Sequence, residues 1–183
     1  MNILVTAGNT QSPIDRVRVL TNVFTGRTGA AIALAACARG HRVTLATSHP
    51  ETVADPLAPV AWRELGKTIE YRTFDDLQTV MAELIPKGRF DAVIHAAAVS
   101  DYLAAGVFAP APGTRFDDGP NTWDGADGPP RMLDRAAAKI KSAEPELWLR
   151  LTRAPKLVDR IRGDWGFRGT LVKFKLEVGV TDL

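Results

Sequence analysis

Short apolar segments alternate with segments of helical spacing along the first half of the chain, and this alternation constrains the fold more than any other feature. Residues 3–7 form a short apolar run that ends at Gly8, and the alanine-rich residues 29–39 end at Gly40, where a helix commonly places a glycine. Further predicted elements are strands at residues 43–47, 69–72 and 91–95 and a helix at residues 74–85. Because strands that alternate with helices are joined by right-handed crossovers, the sequence predicts an α/β fold with a doubly wound, mostly parallel sheet.

The second half of the chain interrupts this alternation. Residues 103–138 are dominated by Pro, Gly, Ala and Asp and have no hydrophobic period, which is typical of either a flexible lid or a disordered insertion. Regular patterns resume at Lys139, and strands are expected near residues 147–151 and at residues 170–176. With 183 residues, of which 45% are hydrophobic, the chain has the size and composition of a single domain.

The composition argues against nucleic-acid and membrane binding. The 23 Lys and Arg residues are balanced by 21 Asp and Glu residues, so the formal net charge is only +2, and no block of like charge occurs. No apolar run reaches 18 residues, and the N-terminus enters a strand without the features of a signal peptide, so we expect a cytoplasmic protein. The single Cys37 excludes an internal disulfide and is expected to pack as a small buried hydrophobe.

The loop after the first strand carries the strongest functional signal, because ligands of Rossmann-like, doubly wound sheets bind beyond the carboxyl ends of the strands. Gly26 and Gly29 flank the expected helix start, where free backbone N–H groups and the positive end of the helix dipole suit a phosphate. The same glycines could merely allow a turn and close helix packing. However, Arg16, Arg18 and Arg27 add three permanent cations around them, which favours an anionic ligand.

The loop after the strand at residues 91–95 contains small residues followed by an aspartate. Ala97 and Ala98 would let a flat base lie against the strand end, and Asp101 can accept a hydrogen bond from an amine or a hydroxyl. Asp101 could equally cap a turn or a helix. Similar His-Ala-Ala stretches occur in nicotinamide-dependent epimerases and reductases, so this loop alone does not decide the chemistry.

Several familiar signatures are absent from the sequence. No Gly-x-Gly-x-x-Gly follows the first strand, no Gly-x-x-x-x-Gly-Lys phosphate loop occurs, and neither Tyr71 nor Tyr102 is followed four residues later by a lysine. The three histidines lack metal-ligand spacing with one another and with Cys37, so no protein-bound metal is predicted.

Four motifs follow one another in order across nearly the whole chain. The first comprises residues 6–10 (TAGNT), 13–15 (PID), 17–18 (VR), Asn22 and 25–29 (TGRTG), and the others are residues 97–102 (AAVSDY), 139–142 (KIKS) and 173–177 (KFKLE). In these motifs the sequence resembles the phosphopantothenoylcysteine synthetase family and is most similar to its free-standing bacterial members, so no flavin is implied. Members of the family continue past the position of Leu183, so the chain is expected to be a fragment or a shortened relative.

The resemblance implies a ligase of coenzyme A biosynthesis that joins 4′-phosphopantothenate to cysteine through an acyl-cytidylate. It implies two catalytic residues, Lys139 as the cation at the reacting phosphate and Asn22 as the residue that holds the acyl intermediate. The implied nucleotide-binding residues are Gly8, Gly26, Arg27, Gly29, Ala97, Ala98, Asp101, Lys139 and Phe174, and the implied substrate-binding residues are Arg18 and Asn22.

The resemblance also implies the small molecules and the assembly. CTP is the expected nucleotide, with ATP as an open alternative, and Mg²⁺ is expected to arrive with the nucleotide. The family implies a homodimer. Two other functions stay open, a nucleotide-binding relative without ligase activity and a nicotinamide-dependent reductase.

Overall fold

The computed structural model of the protein describes residues 1–54, 60–137, 139–140 and 143–175. In chain order the strands are β1 (Asn2–Ala7), β2 (Gln11–Pro13), β3 (Val19–Thr21), β4 (Arg42–Thr47), β5 (Gly66–Glu70), β6 (Ala92–His95), β7 (Tyr102–Pro110), β8 (Thr114–Asp117), β9 (Thr122–Gly125), β10 (Met132–Asp134), β11 (Trp148–Arg153) and β12 (Thr170–Lys173). The helices are α1 (Arg27–Ala38), α2 (Val60–Leu65), α3 (Phe74–Lys87) and α4 (Leu157–Arg162), with a short 3₁₀ helix at Pro50–Thr52.

The described residues divide into two compact units. The first, called here the sheet unit, comprises residues 1–11, 21–100 and the described residues from 155 onward. The second unit comprises residues 12–20 and the described residues of 101–154. Four residues of the expected motifs, Lys141, Ser142, Leu176 and Glu177, lie outside the described part of the chain.

The sheet unit contains a five-stranded sheet in the order β12-β6-β1-β4-β5. Every neighbouring pair in it is parallel, and the central β1 pairs with both β4 and β6. This confirms the predicted α/β fold. Since right-handed crossovers link the strands, the connections on the two sides of β1 place α1 on one face of the sheet and α3 and α4 on the other.

Alternation along β1 explains how the sheet unit builds its core. Ile3, Val5 and Ala7 belong to one buried cluster that includes the inner face of α1, whereas Leu4 points to the opposite face. The small residues of α1 let the helix lie close to the sheet, and Cys37 packs there with 1% of its surface exposed. As expected, Cys37 is a buried hydrophobe, and desolvation raises the pKa of its thiol.

Helix α3 begins at a reciprocal cap that is encoded locally. The Thr73 hydroxyl accepts a hydrogen bond from the Asp76 backbone N–H at 3.1 Å, and the Asp76 carboxylate accepts one from the Thr73 N–H at 2.8 Å. The apolar side chains at helical spacing, Phe74, Leu77, Met81 and Ile85, are buried as the sequence pattern predicts.

The second unit is built from antiparallel strands. Strands β10, β7 and β11 form a three-stranded sheet, and β8 pairs with β9 as a hairpin. Phe116 and Trp123 of the hairpin form a ring cluster with Trp148 of β11, with ring centroids 4.6–5.2 Å apart. Four of these strands lie in residues 103–138, where the sequence shows no hydrophobic period. Antiparallel strands exposed on one face need only short alternating patterns, and the many Pro and Gly residues of this segment obscure them.

Substitution of Gly29 tests the close packing of α1 on β1. A Cβ at Gly29 would lie 2.5 Å from Ala7 Cβ, so Gly29→Ala should destabilise the protein by about 1–3 kcal/mol although alanine is the better helix former. The control is Gly40→Asn, because Gly40 has φ +78° with nothing within 4 Å, and asparagine tolerates that conformation. Urea unfolding measures both variants, and a Gly29→Ala protein as stable as the wild type would contradict this packing.

Candidate functional site

The candidate site lies at β1, where the order in which the strands are added to the sheet reverses. From β1 the chain proceeds outward through β4 and β5, and then returns to place β6 and β12 on the other side. Doubly wound sheets bind ligands beyond the carboxyl ends of the strands at such a reversal, so the crevice is expected where the loops that leave β1 and β6 meet. Both loops selected from the sequence start at this crevice.

The start of α1 lies against the end of β1. Gly8 and Gly26 both have positive φ, +91° and +76°, and a Cβ at Gly26 would collide with the backbone of Gly8. Gly26 is the N-cap of α1, no side chain caps the helix, and its first turn contains no acidic residue. Free N–H groups and the positive end of the helix dipole therefore face the crevice without a protein counter-charge, which suits an anion.

Backbone hydrogen bonds tie the second loop to the first. The Ala98 N–H donates to the Gly8 carbonyl at 2.8 Å, and the Asn22 side-chain amide donates to the Ala98 carbonyl at 3.1 Å. The Asn22 carbonyl in turn accepts a hydrogen bond from the side chain of Asn9 at 2.6 Å. The structure thus brings together Gly8, Asn22 and Ala98, which the sequence singles out separately.

Several polar residues behind these loops were missed in the sequence. Ser48 follows β4, accepts a hydrogen bond from the Asn9 N–H at 2.9 Å, and donates to the Asn9 side chain at 3.0 Å. Thr10 bonds to Ser100 through their hydroxyls at 3.0 Å. Thr10 and Ser100 lie in the motifs at residues 6–10 and 97–102, whereas the only sequence signal for Ser48 is its position at the carboxyl end of a strand.

His95 ends β6 beneath the second loop and is 8% exposed. Its Nδ1 lies 2.8 Å from the Thr6 hydroxyl, and the same hydroxyl accepts a hydrogen bond from the Ala97 N–H at 3.3 Å. Burial lowers the pKa of His95 from its ordinary value of 6.5 to about 4, so the ring is neutral near pH 7. His95 therefore supports the Ala97 backbone without adding charge to the crevice.

The remaining expected residues of the sheet unit surround the same strand ends. Arg27 is the first residue of α1, is exposed, and has no hydrogen-bond or ion-pair partner among the described residues. Phe174 follows β12, donates its N–H to the His95 carbonyl at 3.4 Å, and has 54% of its surface exposed. A free cation and an exposed ring are thus available near the crevice.

Three expected residues belong to the second unit. Arg18 forms an ion pair with Asp15, with Nη2 and Oδ2 2.6 Å apart, so its charge is already compensated. Asp101 caps no helix; its carbonyl accepts a hydrogen bond from the Ala154 N–H at 2.8 Å, and its side chain is exposed. Lys139 is exposed, and no described group pairs with its ammonium.

Within the described ranges, no group of three or more His, Cys, Asp or Glu residues could hold a metal ion. None of the helices in the same ranges has the length and apolarity needed to cross a membrane.

Residues 1–109 match the family model of the DNA/pantothenate metabolism flavoprotein C-terminal domain. The coenzyme A biosynthesis bifunctional protein CoaBC of Thermococcus kodakarensis is 33% identical over 184 residues, which cover 98% of this chain and 35% of that protein. The CoaBC protein of Escherichia coli K12 is 35% identical over 107 residues, covering 58% of this chain and 24% of that protein. The chain therefore spans about a third or less of the length of these relatives.

Solved structures share the fold. The crystal structure of the DNA/pantothenate metabolism flavoprotein from Streptococcus pneumoniae superposes with a TM-score of 0.71 at 27% identity, covering 99% of this chain and 72% of that chain. A Cab2 variant solved in complex with phosphopantothenate-cysteine gives a TM-score of 0.60 at 17% identity, covering 98% and 65% of the two chains. At that identity the second match establishes the fold alone.

Because His95 is buried in its neutral form, we expect the protein to lose stability in mild acid. Its pKa is lower in the folded protein than in the unfolded chain, so the unfolded chain binds more protons below pH 6.5 and stability falls as the pH approaches 4. Between pH 7.5 and pH 5 this group alone should lower the free energy of unfolding by about 2 kcal/mol. Urea titrations at both pH values measure the loss.

The matched variants are His95→Gln and His41→Gln. His95→Gln should lose much less stability than the wild type over this pH range, whereas His41→Gln, which changes a histidine outside the network, should behave as the wild type. Equal losses in the wild type and His95→Gln would show that His95 is not the responsible group.

Proposed function

Because the chain belongs to the DNA/pantothenate metabolism flavoprotein C-terminal domain family, we propose that it joins 4′-phosphopantothenate to cysteine in a CTP-dependent reaction. The relatives of similar sequence are named for coenzyme A biosynthesis, which supports this assignment. A protein of the same fold was solved with phosphopantothenate-cysteine bound, and this is consistent with the same product.

The observation that carries the proposal is the uncapped start of α1 at the crevice between β1 and β6. Gly8 and Gly26 have no side chains, so the backbone at the start of the helix is not covered by them. Arg27 adds a cation that has no partner among the described residues. A nucleoside triphosphate needs this combination of N–H donors and positive charge. The crevice thus offers a place for CTP, with Mg²⁺ bound to its phosphates as part of the substrate.

The reaction needs activation because a free carboxylate is a poor electrophile. In the proposed first step a carboxylate oxygen of 4′-phosphopantothenate attacks the α-phosphorus of CTP, the bond to the bridging oxygen breaks, and pyrophosphate leaves. In the second step the cysteine amine attacks the acyl carbon, loses a proton, and displaces CMP. Lys139 is proposed to neutralise charge at the α-phosphate in the first step, where fixed cations stabilise the transition state most.

Asn22 is proposed to act in the second step. Its side-chain amide nitrogen is occupied by the Ala98 carbonyl, whereas none of the described groups donates to its Oδ1. That oxygen can therefore accept a hydrogen bond from an amide N–H of the pantothenoyl chain or from the incoming amine. The contact with Ala98 fixes the orientation of the amide beside the crevice.

Two variants separate the proposed half-reactions. Lys139→Gln removes a charge needed before any intermediate exists, so pyrophosphate release should fall by roughly 10²- to 10³-fold. Asn22→Asp should leave activation partly intact and spoil the second step, so the acyl-cytidylate should accumulate. Mass spectrometry of pyrophosphate, intermediate and product, with CTP and ATP supplied separately, measures each quantity.

Lys87→Gln is the control, because Lys87 is in the last turn of α3, at the opposite end of the sheet from the crevice, and its loss should leave turnover unchanged. Three results would contradict the proposal in different ways. A wild type that binds CTP without turnover indicates a binding protein, and fluorescence quenching by NADPH but not by CTP indicates a reductase. Accumulation of the intermediate in Lys139→Gln but not in Asn22→Asp would reverse the two roles.

A further inference from the structure

A hydrogen-bonded clamp in the second unit holds the chain next to Lys139. Asp15 Oδ2 accepts hydrogen bonds from Arg18 Nε at 3.1 Å, from Arg18 Nη2 at 2.6 Å, and from the Ile140 N–H at 3.1 Å. Arg18 Nη2 also donates to the Ile140 carbonyl at 3.0 Å. Both backbone polar groups of Ile140 are therefore bound by one ion pair from a segment more than 120 residues earlier in the sequence.

The residues of the clamp form further hydrogen bonds within their own turn. Asp15 Oδ1 accepts the backbone N–H groups of Val17 and Arg18 at 2.9 and 2.8 Å, which closes a tight turn around the carboxylate. The Asp15 side chain is fully enclosed, and the Ile140 side chain is 4% exposed. The Arg18 guanidinium, followed by the backbone donors, holds the pKa of Asp15 well below its usual range, so the carboxylate stays charged at neutral pH.

The clamp binds the residue next to Lys139, to which the proposed function assigns the charge neutralisation in the first step. Lys139 immediately precedes the clamped residue, its side chain is exposed, and none of the described groups pairs with it. A lysine has a flexible stem, so the place of its ammonium depends on how well its backbone is fixed. Asp15 and Arg18 bind the backbone of the next residue, Ile140, and Asp15 also holds the Arg18 guanidinium in place.

We propose that Asp15 is a positioning residue that acts through Lys139, because it holds the Ile140 peptide and thereby fixes the point from which the Lys139 ammonium reaches substrate. This inference rests on the proposed function for Lys139. Arg18 completes the clamp, because it binds both the Asp15 carboxylate and the Ile140 carbonyl. This role is separate from any contact that Arg18 makes with substrate.

Amide exchange of the wild-type protein tests the clamp without any variant. The Ile140 N–H should exchange with solvent much more slowly than an unbonded amide, by at least about tenfold, and Asp15→Asn should remove that protection. An Ile140 amide that exchanges freely in the wild type would overturn the proposal, whatever the activity of the protein.

A double-mutant cycle tests whether Asp15 acts through Lys139. Asp15→Asn alone should lower the rate of pyrophosphate release by about 10- to 100-fold, since displacement of a reacting group by about 1 Å costs this much. In a Lys139→Gln background the same change should lower the residual rate by less than about threefold, because the group that Asp15 positions is already absent. A residue that only stabilises the fold would give the same loss in both backgrounds, and that result would overturn the proposal.

Asp164→Asn is the matched control. It also removes the charge of an aspartate paired with an arginine, since Arg160 Nε lies 2.7 Å from Asp164 Oδ2 after α4, but it lies outside the candidate site. This variant should leave the rate of each background, wild-type or Lys139→Gln, unchanged. A wild type that releases no pyrophosphate overturns the proposed function and this role together, whereas an active wild type with equal losses overturns the role of Asp15 alone.

Discussion

The contact between Gly26 and Gly8 is the constraint on which the candidate site depends. A side chain at Gly26 would collide with the Gly8 backbone, so only glycine lets α1 begin directly at the end of β1. Gly29, one turn into the helix, meets Ala7 in the same way. Because the helix starts there without a capping side chain, its positive end remains available to a ligand.

The polar groups around this contact are uncharged and are held in place by hydrogen bonds. Asn9, Ser48 and Asn22 satisfy one another or the backbone, and the neutral His95 supports the second loop through Thr6. The one cation beside the helix start, Arg27, has no partner within the described ranges. Such a site suits a negatively charged ligand, as the proposed use of a nucleoside triphosphate requires.

The sequence predicted the part of the fold that depends on local patterns. Apolar runs and helical spacing identified the five strands of the parallel sheet together with α1 and α3, because apolar residues recur in each at the period of its secondary structure. The exception in position is β5, which begins at Gly66, three residues before the predicted strand at residues 69–72. The antiparallel strands of residues 103–138 were not recognised, since glycines and prolines are frequent in this segment and β7 pairs with strands that are distant in sequence. The glycine loop was found because close backbone approach requires glycine, whereas Ser48 and His95 are revealed only by neighbours from other strands. Arg18 was expected to meet substrate, and its ion pair with Asp15 could not be read from spacing alone.

A structure of the protein in complex with CTP and Mg²⁺ tests the central claim most directly. The triphosphate is expected at the carboxyl end of the parallel sheet, with its oxygens next to the N–H groups at the start of α1 and with the base against Ala97 and Ala98. Density for the nucleotide at the opposite end of the sheet, beyond Asn2 and Asp91, would contradict the assignment of this crevice as the nucleotide site.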